Sequence, residues 1–159
     1  NVSSVLGPKG FAVTLAWDVA KGVLAVWAAG QLTADPRMEG LALLAVLVGH
    51  LWPLQLGFRG GKGVATSLGG LLVFEPELLA ALFFLFLPPW VWFRRTILPG
   101  MIAYALLPVA SWFLDHDPGR VGVVSLCSAL VLFAHRRNLV EEWVALGYRS
   151  RPAANSDEL

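Results

Sequence analysis

Charged residues are scarce in this sequence of 159 residues. Aspartate, glutamate, lysine and arginine together make up 14% of it, and hydrophobic residues make up 57%. Soluble domains contain about 25% charged and about 45–50% apolar residues, so this composition argues against a water-soluble globule. The mean hydropathy of +0.65 extends over the whole chain, which favours a polytopic membrane protein over a soluble core with one anchor.

Cysteine and histidine are also rare. Cys127 is the single cysteine and lies in an apolar stretch, which excludes a disulfide framework and a cysteine-based metal cluster. His50, His116 and His135 are far apart in sequence and show no ligand spacing such as His-x-x-x-His. The net charge of +1 gives no indication of nucleic-acid binding. The sequence therefore predicts neither a metal, a cofactor nor a nucleic-acid partner.

The sequence does not begin with methionine. Asn1 is its first residue, and no basic segment followed by a short apolar stretch marks a cleavable signal. We expect that the printed sequence begins inside a longer open reading frame.

Long apolar stretches are present instead, separated by glycine, proline and charged residues. A spanning helix needs about 20 largely apolar residues, and the sequence predicts an all-α membrane helix bundle with six spans. Glu75-Pro76-Glu77 predicts a tight turn between two of them. We expect one domain over residues 1–146 and a polar cytoplasmic tail over 147–159. The predicted spans are Phe11–Leu32, Gly40–Leu56, Val64–Phe74, Leu78–Phe93, Ile97–Leu114 and Gly119–Phe133.

The distribution of basic residues predicts the orientation of these spans. Cytoplasmic loops near helix ends are enriched in lysine and arginine. Alternation of six spans puts nine basic residues on one side and two on the other, so both chain ends are assigned to the cytoplasm. The nine are Lys9, Arg59, Lys62, Arg94, Arg95, Arg136, Arg137, Arg149 and Arg151, and the two are Arg37 and Arg120.

The segment Phe58–Thr66 is the most specific polar stretch. Gly60, Gly61 and Gly63 allow the backbone to turn N–H groups toward a ligand, and the next helix begins near Val64. The partial positive charge of a helix N-terminus adds to the full charges of Arg59 and Lys62. Phosphate is the expected anion, although the spacing does not match a nucleotide P-loop. The alternative is a flexible connection that carries ordinary cytoplasmic basic residues.

His135-Arg136-Arg137-Asn138 follows the last predicted span on the same side. His135 and Asn138 are three residues apart and would share a helix face, where they could orient a hydroxyl or a phosphate oxygen. The alternative is a basic cytoplasmic anchor with a solvated histidine.

Asp18 and Lys21 lie within the first predicted span, where ionisable residues are expensive. Their spacing makes them neighbours on one helix face, as an ion pair or beside a polar cavity. His50 is interpreted as either a hydrogen-bonded residue at a helix end or part of the site, and His116 as a polar outer-loop residue. Small residues predict close helix packing at Ala65, Ser67, Gly69, Gly70, Ser125, Ser128 and Ala129.

Taken together, these motifs resemble one known family. Gly49-His50-x-x-Pro53, followed by Phe58-Arg59-Gly60-Gly61-Lys62-Gly63-Val64-Ala65-Thr66, is similar to the bacterial acyl-phosphate:glycerol-3-phosphate acyltransferases known as PlsY. The resemblance covers the chain from Asn1 to about Leu139. Three further segments fit in order: Asn1–Gly7, Asp18-x-x-Lys21-Gly22 and His135-x-x-Asn138.

The resemblance implies a seven-span fold, of which the first span is absent here. It implies transfer of a fatty acyl group from acyl phosphate to the 1-hydroxyl of glycerol 3-phosphate, without a cofactor, at the cytoplasmic face of the bacterial plasma membrane. By this similarity, His135, Asn138 and Lys62 are the catalytic residues. Phosphate is expected at Arg59, Gly60, Gly61, Lys62 and Gly63, supported by His50, Asp18, Lys21 and Thr66.

Two departures from the family pattern leave alternatives open. Ser4 occupies the position of an arginine in the first motif, whose Gly-Ser-Gly-Asn stretch is absent. In the continuation of the segment that begins at His135, Glu141-Glu142 replaces a basic residue of the family pattern with two acidic ones, which we expect to weaken anion binding. The alternatives to an acyltransferase are a non-catalytic homologue and, with less support, a small anion transporter.

Overall fold

The protein is a bundle of α-helices. The computed structural model describes the backbone of residues 2–33 and 35–149 and the side chains of residues 7–33, 35–142 and 144. Within this described part there are seven α-helices and no strand, which confirms the predicted all-α class. They are α1 (Val2–Leu32), α2 (Pro36–Leu51), α3 (Val64–Phe74), α4 (Pro76–Phe93), α5 (Ile97–Asp115), α6 (Pro118–Ala134) and α7 (Arg136–Arg149).

Helix boundaries follow local capping chemistry. The Asp35 and Asp117 side chains accept hydrogen bonds from the first-turn N–H groups of α2 and α6, as N-cap residues do. A proline occupies the first position of α2, α4 and α6, where its missing N–H is not needed. A 3₁₀ turn at Leu54–Leu56 follows α2, and α1 bends at Gly7, whose φ is 67°.

The number of spans differs from the prediction. In the described residues, four segments are long and apolar enough to cross a membrane, and they include α1, α2, α4 and α5. A fifth span results if α6 and the first half of α7, which meet at a 58° bend, are counted together. α3 has 11 residues, or about 16 Å at 1.5 Å per residue, against an apolar layer of about 30 Å. The six-span count is therefore not confirmed.

Glycines allow α1 and α3 to pack closely. A Cβ atom on Gly69 would overlap the Val19 carbonyl oxygen, and one on Gly22 would overlap the Thr66 carbonyl oxygen. The two backbones are thus nearly in contact, as the small residues in the sequence predicted. The fully buried core beside this crossing comprises Val26, Leu43, Leu47, Leu71, Leu78, Leu107, Val124, Cys127 and Val131.

We expect Gly69→Ala to destabilise the protein, because the added methyl group has no space against the α1 backbone. Overpacking of this kind costs about 1–3 kcal/mol. The measurement is thermal unfolding in detergent. Gly122→Ala on α6 is the matched control, since a Cβ there has no neighbour within 4 Å. Equal unfolding temperatures for the two variants would contradict the close crossing.

Charged groups gather at the two ends of the bundle. At one end, Arg120 lies 3.3 Å from Glu75 and 3.1 Å from Asp115. Glu75 lies between α3 and α4 and is buried; burial raises the pKa of its carboxyl group, and the Arg120 guanidinium opposes this rise. The glycine loop between α2 and α3 lies at the opposite end. The end that contains this loop is called the loop end.

α7 is the helix that the sequence prediction lacks. It begins at Arg136 and continues to Arg149, two residues beyond Gly147, where the predicted polar tail begins. The remainder of that tail, residues 150–159, lies outside the described residues. The first turns of α7 place the His135–Asn138 segment against the rest of the loop end.

Candidate functional site

The glycine loop is held against the end of α2. The Gly60 N–H donates to the Leu51 carbonyl at 3.2 Å, and the Gly61 N–H donates to the His50 carbonyl at 3.2 Å. These two N–H groups are therefore used within the protein, whereas the sequence analysis expected the loop glycines to turn their N–H groups toward a ligand. Gly60 and Gly61 instead allow the loop to approach the end of α2 closely.

Side chains at these positions would displace the loop. A Cβ atom on Gly60 would overlap the His50 carbonyl oxygen, and one on Gly61 would overlap the His50 imidazole. Gly63 has φ +83° and is the N-cap of α3, a left-handed conformation that glycine adopts most easily. The three glycines thus set the path by which the chain enters α3.

The N-terminus of α3 is the anion-attracting feature of the loop end. The first bond of this region runs from the Ser67 N–H to the Gly63 carbonyl at 2.8 Å. N–H groups before that bond have no acceptor inside the helix, and they carry the positive end of the helix dipole. Lys62 is exposed beside them. Thr66 is fully buried, and its hydroxyl has no hydrogen-bond partner within the described part of the chain.

His135 lies at the junction of α6 and α7. Its side chain is buried, and Nδ1 is 2.9 Å from the Val131 carbonyl oxygen. Because a carbonyl oxygen only accepts, Nδ1 carries the proton and Nε2 is the ring nitrogen left for a ligand. Lys62 lies two residues before Val64, and Val64 and His135 line the same groove. The structure therefore brings together Lys62 and His135, which are 73 positions apart.

Asn138 is in the first turn of α7 and is half-buried. The Leu139 N–H donates to the His135 carbonyl at 3.0 Å, which fixes this turn directly after His135. Asn138 is thus one turn away from the imidazole. It is not among the residues that line the three clefts described next.

Three clefts meet around the start of α3. The largest, the apolar groove, has a volume of about 850 Å³ and extends between α3, α4 and α5 with His135 in its wall. Val64 and Leu68 separate it from the smallest, the α3 cleft of about 250 Å³. The apolar groove is also lined by Leu79, Leu82, Phe83, Phe86, Met101 and Tyr104.

The third cavity, the arginine cleft, has a volume of about 610 Å³ and lies between the glycine loop and the α6–α7 junction. Arg59, Arg136 and Arg137 line it. Arg136 donates to the Phe133 carbonyl at 2.9 Å and stacks 4.1 Å from the centre of that ring. Gly61 borders both the arginine cleft and the α3 cleft, and Lys62 and Asp18 are the charged residues that line the α3 cleft.

Asp18, Lys21 and His50 form one polar cluster beside the α3 cleft. Lys21 Nζ donates to Asp18 Oδ1 at 2.7 Å and also contacts His50 Nδ1. Asp18 Oδ1 is 3.5 Å from the same ring nitrogen. The predicted neighbour pair of the first span is therefore an ion pair, and it is joined to a residue at the end of α2.

Glu142 forms an ion pair with Arg95, so its negative charge is compensated. Its Oε2 is 3.0 Å from Arg95 Nη1, and both side chains are largely buried. This ion pair ties the α4–α5 connection to α7. The expectation that Glu141-Glu142 weakens anion binding stays a prediction: Arg95 compensates the charge of Glu142, and Glu141 is exposed.

A pair of hydroxyl groups in the wall of the apolar groove escaped the sequence analysis. Ser67 Oγ donates to the Val64 carbonyl at 2.9 Å and lies 2.6 Å from Tyr104 Oη. Since the single Ser67 proton is used, Tyr104 is the donor between them. The sequence signal that could have indicated this pair is a tyrosine inside an apolar span, because a buried hydroxyl group needs a hydrogen-bond partner.

The loop end can hold an anionic group next to an apolar chain. Its positive charge comes from Lys62, Arg59 and the start of α3, and the apolar groove begins at His135. Together with the apolar helices, these features define a multi-pass membrane protein with a cluster of positive charge beside an apolar groove.

Comparison with known proteins identifies the family. Residues 1–143 match the family described as glycerol-3-phosphate acyltransferase. The chain is 38% identical to glycerol-3-phosphate acyltransferase 1 of Desulfitobacterium hafniense over 89% of its own length and 70% of that protein. It is 35% identical to glycerol-3-phosphate acyltransferase of Halorhodospira halophila over 95% and 76%. The chain therefore belongs to the glycerol-3-phosphate acyltransferase family.

Solved structures agree with this assignment. Two crystal structures of PlsY, an integral membrane glycerol 3-phosphate acyltransferase, superpose on the chain with TM-scores of 0.79 and 0.78 at 26% identity. Each covers 90% of this chain, which spans 72% and 74% of theirs. One is the glycerol 3-phosphate form and the other is the lysophosphatidic acid form. The predicted resemblance to PlsY is confirmed.

Proposed function

We propose that this protein transfers a fatty acyl group from acyl phosphate to the sn-1 hydroxyl of glycerol 3-phosphate. The observation that carries the proposal is the meeting of the apolar groove with the positively charged loop end at His135. A substrate with an apolar tail and a phosphate head fits this junction. The acyl chain lies in the groove, which places the reacting carbonyl beside the start of α3.

The chemistry asks mainly for positioning and for stabilisation of negative charge. The glycerol 3-phosphate hydroxyl attacks the acyl carbonyl carbon, a C–O ester bond forms, and the bond from that carbon to the phosphate oxygen breaks. Phosphate leaves with the bonding electron pair, and lysophosphatidic acid is the other product. Lys62 and the first N–H groups of α3 stabilise the charge on the leaving phosphate.

The hydroxyl proton has two possible acceptors. A phosphate oxygen of the substrate can take it without a protein base, because acyl phosphate already contains a good leaving group. Nε2 of His135 is the competing acceptor, because Nδ1 already carries a proton and donates it in a hydrogen bond to the Val131 carbonyl. In either version, His135 and Asn138 orient the reacting groups, while Gly60, Gly61 and Gly63 fix the loop.

The proposed orientation follows from charge. The loop end carries Arg59, Lys62, Arg95, Arg136 and Arg137, whereas acidic residues dominate the opposite end around Arg120. By the positive-inside rule, the loop end lies at the cytoplasmic face of the bacterial plasma membrane. Both substrates then bind from the cytoplasm, and the acyl chain extends into the bilayer.

The test is an assay of the full-length protein in detergent with acyl phosphate and glycerol 3-phosphate. We expect equal amounts of released phosphate and lysophosphatidic acid. Acyl thioester supplied as the only donor tests the proposed donor, and we expect no product from it. A folded protein that forms no product from acyl phosphate would contradict the proposal and favour a non-catalytic homologue.

A further inference from the structure

The glycine loop rests on a polar cluster that connects three separate segments. α1 contributes Asp18 and Lys21, the end of α2 contributes His50, and the loop contributes Gly61. Lys21 Nζ contacts both Asp18 Oδ1 and His50 Nδ1. The imidazole leaves no space for a Cβ atom on Gly61. A continuous series of contacts therefore runs from α1 to the loop.

Lys21 determines which His50 nitrogen carries the proton. An ammonium group has three donors and no acceptor. Nδ1 must therefore present its lone pair to Lys21, which leaves the proton of the neutral ring on Nε2. Asp18, at 2.7 Å from Lys21 Nζ and 3.5 Å from His50 Nδ1, compensates the ammonium charge in this apolar part of α1.

His50 contacts the loop through its backbone as well as through its ring. Its carbonyl accepts the Gly61 N–H, and the neighbouring Leu51 carbonyl accepts the Gly60 N–H. Displacement of the His50 backbone would disturb both hydrogen bonds, and rotation of its ring would remove the contact with Gly61. Lys62 and Gly63 follow directly, so the start of α3 depends on the position of this histidine.

We propose that His50 is a positioning residue, held by Lys21 and Asp18, that fixes the glycine loop and thereby places Lys62 at the start of α3. The inference rests on the proposed function, because the loop matters through the phosphate it helps to bind. His50 acts through the loop and not on the reacting atoms. Loss of the cluster should therefore weaken the binding of acyl phosphate and also slow the step in which its phosphate leaves.

Hydrogen–deuterium exchange of segment 57–63 in the full-length protein tests the structural step without relying on activity. Lys21→Met removes the ammonium group and keeps the stem, and Lys9→Met, at an exposed site on the same helix, is the matched control. We expect the Gly60 and Gly61 amides to exchange about tenfold faster in Lys21→Met and in His50→Ala. The control should leave them unchanged.

The double variant Lys21→Met/His50→Ala shows whether Lys21 acts on the loop through His50 or whether the two residues act independently. If Lys21 acts through His50, the double variant will exchange no faster than His50→Ala alone. His50→Asn, which keeps an acceptor near the position of Nδ1, should restore part of the protection. Additive effects in the double variant would overturn the proposal, as would unchanged loop exchange in Lys21→Met.

Enzyme kinetics tests the functional step. We expect Lys21→Met to raise the KM for acyl phosphate about tenfold and to lower kcat, because Lys62 stabilises the phosphate that leaves, with the KM for glycerol 3-phosphate changed less than about threefold. A fall in kcat alone would contradict a positioning role through the loop. If the wild-type protein shows no acyl transfer, the proposed function fails, but the exchange experiment still decides whether the cluster holds the loop.

A measurement on the wild-type protein covers the case in which the variants do not fold. The chain has three histidines, so ¹⁵N spectra of histidine-labelled protein can be assigned with His116→Gln and His135→Gln as references. We expect His50 to carry its proton on Nε2. A proton on Nδ1 of a neutral His50 would exclude the Lys21 contact and overturn the proposal.

Discussion

Lys62→Ala will abolish acyl transfer while the protein still folds and inserts. Lys62 is the charged side chain directly before α3, where N–H groups without helical partners already attract an anion. Its ammonium group stabilises the phosphate as it leaves. Removing one such charge-stabilising donor typically lowers kcat about 10²–10³-fold. We expect a loss near the upper end of this range, because Lys62 provides a full positive charge and is also part of the glycine loop.

Two further lysine variants make this result specific. Lys62→Arg retains the positive charge but not the compact ammonium group, so we expect it to keep part of the activity. Lys9→Ala removes an exposed lysine from α1 and should leave kcat/KM unchanged. Transfer by Lys62→Ala at the wild-type rate would remove the mechanism proposed for the loop, provided that both proteins show the same unfolding temperature in detergent.

His135→Ala is the second substitution with a large expected effect. The imidazole is fixed by its Nδ1–H bond to Val131 and lines the groove in which we place the acyl chain. Its removal takes away the group that connects the groove to the charged loop end. We expect kcat/KM to fall at least about 100-fold, the lower limit for loss of a general base. Steady-state kinetics with acyl phosphate gives the value.

The same histidine separates the two proposed proton acceptors. If Nε2 is the base, the pH dependence of kcat will contain an ionisation that disappears in His135→Gln. If a substrate phosphate oxygen takes the proton, the profile will keep its shape and only its height will fall. His116→Gln, at the opposite end of the bundle, is the control. Activity of His135→Ala within about twofold of wild type would exclude His135 both as the base and as a group that orients the substrates.

The sequence predicted apolar helices more successfully than it predicted membrane spans. The predicted segment Val64–Phe74 coincides with α3, and Ile97–Leu114 lacks only one residue of α5. These boundaries were predictable because glycine, proline and charge interrupt the apolar pattern there. The prediction of spans failed on helix length, because an apolar helix of 11 residues is hydrophobic enough to be counted as a span but too short to cross a bilayer.

The helix that the sequence did not predict has a different composition. α7 contains the charged residues Arg136, Arg137, Glu141 and Glu142 in its first two turns. Apolar stretches identify lipid-facing helices, but they do not identify a polar helix at the surface of the bundle. Arg95 is 47 positions from Glu142 in sequence, so no local pattern could reveal their ion pair.

The candidate site was predicted as a set of residues, but its internal contacts were not. Charge and spacing placed Lys62 and His135 on one side of the bundle, and the structure brings them together. The bonds from Gly60 and Gly61 to the end of α2 depend on how the chain returns after the 3₁₀ turn. Ser4 and the rest of the first motif lie outside the residues whose side chains are described, so the predictions for that motif stay predictions.

The 11-residue length of α3 has a consequence for the electrical environment of the site. The loop end and the Glu75–Arg120 pair are separated by about 16 Å of helix, roughly half of the hydrocarbon thickness of a bilayer. An apolar layer of that full thickness cannot fit between these two polar ends, so at least one of them must lie within it and needs water or a locally thinner bilayer. Where water reaches that end, the transmembrane voltage falls over a distance shorter than the full hydrocarbon thickness.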